Sequence, residues 1–106
     1  MKVMMTGFAR QQFRKTAKYI NGKFGKKSRD NFLQQVQRTK QLLGDNPYIG
    51  PEEPLLTDGS TSYRSVVVNH LNKMVYRILD DYIEIADFWD CRREPESQAE
   101  QTRAKN

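Results

Sequence analysis

Apolar and polar positions follow a helical period in the first part of the chain. Between residues 7 and 43, apolar side chains recur every three or four positions, which is typical of amphipathic helices. The first stripe consists of Phe13, Ala17, Ile20 and Phe24, and the second of Phe32, Leu33, Val36 and Leu43. Thr6 suits an N-cap, and Ser28 marks the start of the second helix. Because few residues separate the stripes, they predict an antiparallel helical hairpin from about Gly7 to Gly44.

The second part of the chain has the pattern of strands. Three runs rich in β-branched and aromatic residues follow one another: Ser65 to Val68, Lys73 to Leu79 and Tyr82 to Trp89. Turn-like pairs, His70-Leu71 and Asp80-Asp81, separate them, and Lys2 to Met5 reads as a short edge strand. The order β-α-α-β-β-β predicts an α+β fold, in which the helical hairpin packs on one face of an antiparallel sheet.

Two-residue turns at both hairpins fix a predicted register for the sheet. In this register Arg64 faces Arg77, and Arg77 faces Glu84, so the three side chains form one row. Like charges directly opposite destabilise a sheet, so this row calls for a functional reason. The same face also carries apolar side chains, which suits an open groove that receives a partner. The opposite, core face is predicted to hold Tyr63, Ser65, Val67, Met74, Tyr76, Ile78, Ile83 and Ile85.

Length and composition indicate one small domain. The chain has 106 residues, and from Glu94 onward it contains no large apolar side chain. We therefore expect a single domain over residues 1–93 and a polar, flexible tail over 94–106. A loop is predicted from Tyr48 to Thr61.

Charge is distributed unevenly along the chain. The net charge is +5, but residues 1–43 carry eleven Lys or Arg and one acid, whereas residues 44–106 carry seven basic and twelve acidic residues. Such asymmetry indicates an anionic partner for the basic half, either nucleic acid or an acidic protein segment. A well-solvated helical surface explains the same charges equally well.

Several classes of site are excluded by residue counts. Cys91 is the single cysteine and His70 the single histidine, so neither an internal disulfide nor an ordinary zinc site can form. We expect no cofactor. No segment resembles a signal-peptide core or a membrane span, so we expect a cytoplasmic protein without a membrane partner.

Four short motifs, in this order, give the chain a family resemblance. They are AKYINGKFGKKSRDNF from Ala17 to Phe32, NPYIGPEE after the second helix, YR at Tyr63 followed by VYRI at Val75, and DYIEI leading to DCRR at Asp90. Together they resemble the RelE/ParE superfamily of toxins from bacterial type II toxin–antitoxin modules. The resemblance covers nearly the whole folded chain.

The resemblance implies a growth-arresting toxin, of the kind used in plasmid stabilisation, that a cognate antitoxin neutralises in a hetero-oligomer. The mixed sheet face and the chain end are the expected surface for the antitoxin or the cellular target. The residues expected to bind there are Arg64, Val66, Val75, Arg77, Leu79, Phe88, Trp89, Arg92 and Arg93.

The resemblance leaves the target open between ribosome-bound mRNA and DNA gyrase. RelE-like members cleave mRNA and need proton carriers as well as positive charge on the phosphate. Arg64, Arg77 and Arg92 could supply the charge, but only Asp90 and His70 are candidate proton carriers, both weak. Nuclease members commonly place His or Tyr just after the last strand, and here the segment reads FWDCRREPE. The absence of His and Tyr from this segment favours ParE-like inhibition of gyrase over RelE-like cleavage of mRNA. A non-catalytic basic nucleic-acid-binding domain is a further alternative.

Overall fold

The computed structural model describes residues 1–57 and 60–106, which form four strands and three helices. In chain order these are β1 (Lys2–Met5), α1 (Gly7–Phe24), α2 (Lys26–Asp45), β2 (Tyr63–Asn69), β3 (Asn72–Ile78), β4 (Tyr82–Asp90) and α3 (Pro95–Lys105). The first six elements occur in the predicted order, and the α+β fold is confirmed. The seventh, α3, was not expected.

Local interactions define where the helical hairpin begins and where it turns. The Thr6 hydroxyl accepts a hydrogen bond from the Ala9 amide at 3.0 Å, as expected of an N-cap. Gly25, with φ of +97°, is the one residue between α1 and α2. This left-handed conformation is open to glycine and unfavourable for other residues, so the chain can reverse there within a single residue.

The sheet is mixed, with strand order β1-β4-β3-β2. β1 runs parallel to β4, so the prediction of a wholly antiparallel sheet is wrong at this one pair. A parallel neighbour requires a long crossover, and the helical hairpin between β1 and β2 forms part of that connection. Val3 and Met5 of β1 pack against the core beneath the hairpin.

Both faces of the sheet are covered, which contradicts the predicted open face. The helical hairpin and one sheet face enclose the main core of Ala9, Phe32, Val36, Leu43, Met74, Tyr76, Ile83, Ile85 and Phe88. On the other face a second cluster consists of Leu56, Tyr63, Val75, Ala86, Trp89 and Ala99. Ala99 comes from α3 and Leu56 from the long loop, so chain segments without a strong apolar pattern cover this second face.

The segment predicted to be a flexible tail is the helix α3, packed against β4. The Trp89 indole Nε1 donates to Thr102 Oγ1 at 3.0 Å. The Gln98 side chain accepts from the Asp90 amide at 2.9 Å and donates to the Asp90 carbonyl at 3.0 Å. The sequence of α3 has no apolar stripe and therefore resembles a disordered tail. Polar contacts hold the helix in place instead.

Candidate functional site

The β2–β3 register differs from the predicted one by one residue. The turns lie at His70-Leu71 and Asp80-Asp81 as predicted, but Arg64 faces Tyr76 and Tyr63 faces Arg77. An irregularity between Val67 and Asn69 causes the shift.

Asn69 holds the altered turn in place. Its side-chain oxygen accepts hydrogen bonds from the Leu71 amide at 2.8 Å and the Asn72 amide at 2.9 Å. Asparagine commonly bonds the backbone two or three residues ahead in this way, and here it accompanies the register shift.

The predicted row of arginines is therefore wrong, because Arg64 and Arg77 lie on opposite faces of the sheet. Arg64 Nη1 donates to the Gly50 carbonyl at 2.7 Å, and its guanidinium lies 4.9 Å from the centre of the Tyr48 ring. Arg77 pairs with Glu84 as predicted, with Nε 2.8 Å from Oε1. The two charges cannot act on one phosphate at the predicted place.

Cations on the α3 side of the sheet have partners within the chain. Lys73 Nζ lies 2.8 Å from Glu53 Oε2 and 4.9 Å from the centre of the Trp89 ring. The Glu53 carboxylate also accepts from Ser65 Oγ at 3.1 Å, and only 6% of Glu53 is exposed. These contacts, together with the Arg77–Glu84 pair, hold the loop and strands together.

Most of the predicted binding residues are packing residues. Val75 and Trp89 are buried under α3 and the long loop, whereas Val66 and Phe88 pack toward the helical hairpin. Leu79 is half-buried at the end of β3. Phe88 was predicted on the other face; a shift in the β3–β4 register near Val75 moves it to the main core.

Arg92 and Arg93 are the exposed members of the predicted set, and both border a groove of about 440 Å³. This α1–β4 groove runs between α1, the β2–β3 turn, the end of β4 and α3. Its exposed lining residues are Lys15, Tyr19, Phe24, Arg92 and Arg93. Its buried and half-buried lining includes Gln12, Thr16, Asn72, Phe88, Asp90 and Gln101. His70 is exposed in the adjacent turn.

Asp90 and Arg92 form an ion pair at one end of the groove. Arg92 Nε lies 3.1 Å from Asp90 Oδ1, and Arg92 Nη2 lies 3.0 Å from Oδ2. The hydrogen bond from Arg92 is the main reason why the pKa of Asp90 is lowered. The same pair, with a smaller contribution from Tyr19, raises the pKa of Arg92. Asp90 is therefore a weak base, and Arg92 remains a permanent cation.

Sequence patterns did not single out Lys15 and Tyr19 as site residues. The signal in the sequence is that Tyr19, a large aromatic residue, lies with Lys15 on the polar side of α1. In the structure 47% of Tyr19 is exposed. Only the packing of α1 beside the end of β4 brings them to Arg92 and Arg93.

Among residues 1–57 and 60–106, no group of three or more His, Cys, Asp or Glu side chains is placed to hold a metal ion.

A family comparison matches this architecture over most of the chain. The family described as "ParE toxin of type II toxin-antitoxin system, parDE" matches residues 3–95. The chain belongs to the ParE toxin family. Membership implies a toxin of a type II toxin–antitoxin system and an antitoxin partner. No curated protein sequence is significantly similar to this member.

Solved structures of related toxins share the fold. The chromosomal ParDE toxin–antitoxin system from P. aeruginosa aligns with a TM-score of 0.68 at 13% identity, covering 85% of this chain and 95% of that one. A YoeB/ParE toxin from Agrobacterium tumefaciens gives 0.58 at 14% identity, covering 85% and 98%. The YoeB dimer from Staphylococcus aureus gives 0.53 at 21% identity, covering 82% and 92%.

None of the helices in the described ranges is long and apolar enough to cross a membrane.

Proposed function

We propose that this ParE-family toxin arrests growth by inhibiting DNA gyrase and that its antitoxin prevents the inhibition. The supporting observation is the separation of Arg64 and Arg77 by the thickness of the sheet. Cleavage of mRNA at the predicted site needs both cations on one phosphate, together with proton carriers. Inhibition of a protein target needs neither.

The target-binding surface in this proposal is the exposed segment that directly follows β4. Arg92 and Arg93 are exposed there, while the apolar residues once expected to bind a target are inside the two cores. Exposed arginines are frequent hot spots in protein interfaces because they combine charge with several directed donors.

RelE-like cleavage of mRNA is the second candidate, and the α1–β4 groove is the observation that favours it. The groove places Tyr19, Asp90, Arg92 and Arg93 along one opening. A phenol and two guanidinium groups could serve a phosphate, although the lowered pKa of Asp90, caused chiefly by Arg92, makes that carboxylate a poor base.

The deciding experiment adds the purified toxin to two separate reactions. One contains gyrase with plasmid DNA, and the other contains ribosomes programmed with mRNA. We expect loss of supercoiling and trapped cleaved DNA in the first reaction and intact mRNA in the second. Arg93→Glu should weaken gyrase inhibition at least about tenfold. Cleaved mRNA together with active gyrase would instead establish RelE-like cleavage of mRNA as the function.

Arg38→Glu is the matched control for this variant. Arg38 is an exposed arginine of α2 outside the α1–β4 groove, so the substitution changes the net charge by the same amount. Inhibition close to that of the wild type is expected from it. Equal losses in both variants would indicate that total charge, rather than the end of β4, controls inhibition.

A further inference from the structure

The α1–β4 groove combines exposed cations with exposed aromatic rings. Its exposed rim has three cations, Lys15, Arg92 and Arg93, and two aromatic side chains, Tyr19 and Phe24. Tyr19 is 47% exposed and Phe24 is 54% exposed, although aromatic rings are usually buried. Exposed aromatic rings between cations are the combination by which proteins bind unpaired nucleic-acid strands.

The floor of the groove carries groups that both donate and accept hydrogen bonds. Amide side chains come from Gln12, Asn72 and Gln101, and a hydroxyl comes from Thr16. The edges of nucleobases present donors and acceptors side by side, so such a floor is complementary to them. The carboxylates of an acidic peptide only accept hydrogen bonds, so they would leave the acceptor groups of this floor without partners.

The basic surface continues along α1 beyond the groove. A neighbouring shallow hollow shares Lys15 and Tyr19 with the groove and adds Lys18 and Lys23. Lys23 Nζ lies 6.0 Å from the centre of the Tyr19 ring. Cations are therefore present on both sides of Tyr19, which allows a phosphate backbone to continue past a base that is stacked on that ring.

We propose that the α1–β4 groove binds single-stranded nucleic acid. Tyr19 and Phe24 stack on unpaired bases, and the cations of the rim hold the adjoining phosphates. A groove of about 440 Å³ accommodates a base that has left its stack, whereas the paired bases of a duplex cannot reach the two rings. This inference goes beyond gyrase inhibition and stands whether or not gyrase is the target.

Fluorescence anisotropy of the purified full chain tests the proposal without gyrase or ribosomes. The labelled probes are single-stranded DNA and RNA of about 12 nucleotides, the corresponding duplex, and an oligoglutamate peptide. We expect both single strands to bind more tightly than the duplex or the peptide. The affinity should fall with salt at a slope of about −0.7 for each phosphate held.

Substitution of the ring separates stacking from charge. Tyr19→Ala should weaken single-strand binding between about fivefold and about 150-fold without changing the salt slope. Tyr19→Phe should bind like the wild type, and so keeps the test valid if Tyr19→Ala lowers stability. The control Tyr48→Ala removes a ring that is 71% exposed but lies outside the groove, and it should change affinity less than about twofold.

Paired charge reversals locate the phosphates. Lys15→Glu with Arg93→Glu should reduce affinity at least about tenfold and flatten the salt slope. The control pair Lys27→Glu with Arg38→Glu makes the same change in net charge on exposed residues outside the groove. Equal losses in both pairs, equal binding of the duplex, or tighter binding of oligoglutamate would each overturn the proposal, the last in favour of an acidic protein partner.

Discussion

Gly50 shows how one residue joins the loop to the sheet. Its amide donates to the Tyr76 hydroxyl at 3.1 Å, and that hydroxyl donates to the Pro47 carbonyl at 2.7 Å. Burial, the largest influence, raises the pKa of Tyr76, so the phenol keeps the proton that it donates. A Cβ on Gly50 would lie 2.4 Å from the Ser65 carbonyl oxygen, which is closer than such atoms can approach.

Gly50→Ala should therefore destabilise the protein by about 1–3 kcal/mol, because backbone atoms of β2 or of the loop must move apart. Gly22→Ala is the matched control, since nothing lies within 4 Å of the added Cβ and the position is helical. It should stabilise by about 0.5–1 kcal/mol. Urea unfolding of both variants gives the comparison, and equal stability of the two would show that the loop yields freely.

Asp87 is a buried carboxylate, 1% exposed, at the place where α1 and α3 both approach β4. Its oxygens accept from Thr102 Oγ1 at 2.5 Å and from the Phe88 amide at 2.7 Å. Burial raises its pKa more strongly than these hydrogen bonds lower it. Stability linked to Asp87 is thus fully present below the ordinary carboxylate pKa and is lost as pH rises through the higher folded value.

Asp87→Asn should remove this dependence, so the variant should gain stability relative to the wild type as pH rises above the ordinary carboxylate pKa. Asp90→Asn is the control of opposite sign. Arg92 lowers the pKa of Asp90, so the wild type loses that contribution as pH falls through the lowered value. Urea unfolding at several pH values measures both, and parallel curves for wild type and Asp87→Asn would contradict the assignment.

At the scale of elements, α3 depends on polar contacts to a degree unusual for a packed helix. Its buried side chains are Gln98, Ala99 and Thr102, of which only Ala99 is apolar. Thr102 Oγ1 accepts from Trp89 and lies within hydrogen-bonding distance of both Asp87 and the Gln98 carbonyl. One hydroxyl thus serves two buried polar groups of β4.

Thr102→Val should undock α3 in part. Valine has nearly the shape of threonine but lacks the hydroxyl that bonds the Trp89 indole and the Asp87 carboxyl. Loss of this acceptor for the indole and of one of the hydrogen bonds of Asp87, which keeps the Phe88 amide, predicts a loss of about 1.5–4.5 kcal/mol. Trp89 is the single tryptophan of the sequence, so its fluorescence reports the event directly. Thr102→Ser retains the hydroxyl and should lose much less. Unchanged Trp89 emission in Thr102→Val would argue against this anchoring.

At the scale of the whole molecule, charge and layer coincide. Ten of the eleven basic residues before residue 44 lie in α1 and α2, while the acidic excess of the later residues lies mainly in the loop after α2 and in the Asp80-Asp81 turn. The α1–β4 groove is the place where the basic helical layer meets Arg92 and Arg93, which follow β4. An anionic partner is therefore attracted toward that boundary, and the attraction weakens with salt.

Much of the fold could be predicted because its signals are local. The helical stripes, the Thr6 cap and the two turns each depend on neighbours within a few residues, and each was placed correctly. The sheet faces were predicted correctly for Met74, Tyr76 and Ile78, but inverted for Tyr63, Ser65 and Val67. One irregularity near Asn69 is enough to invert these three residues, because a register shift of one residue moves each side chain to the other face.

The sequence by itself determined the order of elements, the family resemblance and the basic character of the helical hairpin, because periodicity, capping and charge are properties of short segments. Tertiary structure alone decided the parallel β1–β4 pair, the docking of α3 and the assembly of the α1–β4 groove. These depend on which distant segments of the chain come together, as in the hydrogen bond from Trp89 to Thr102 and the shared groove lining of Lys15 and Arg93, and no local pattern encodes such distances.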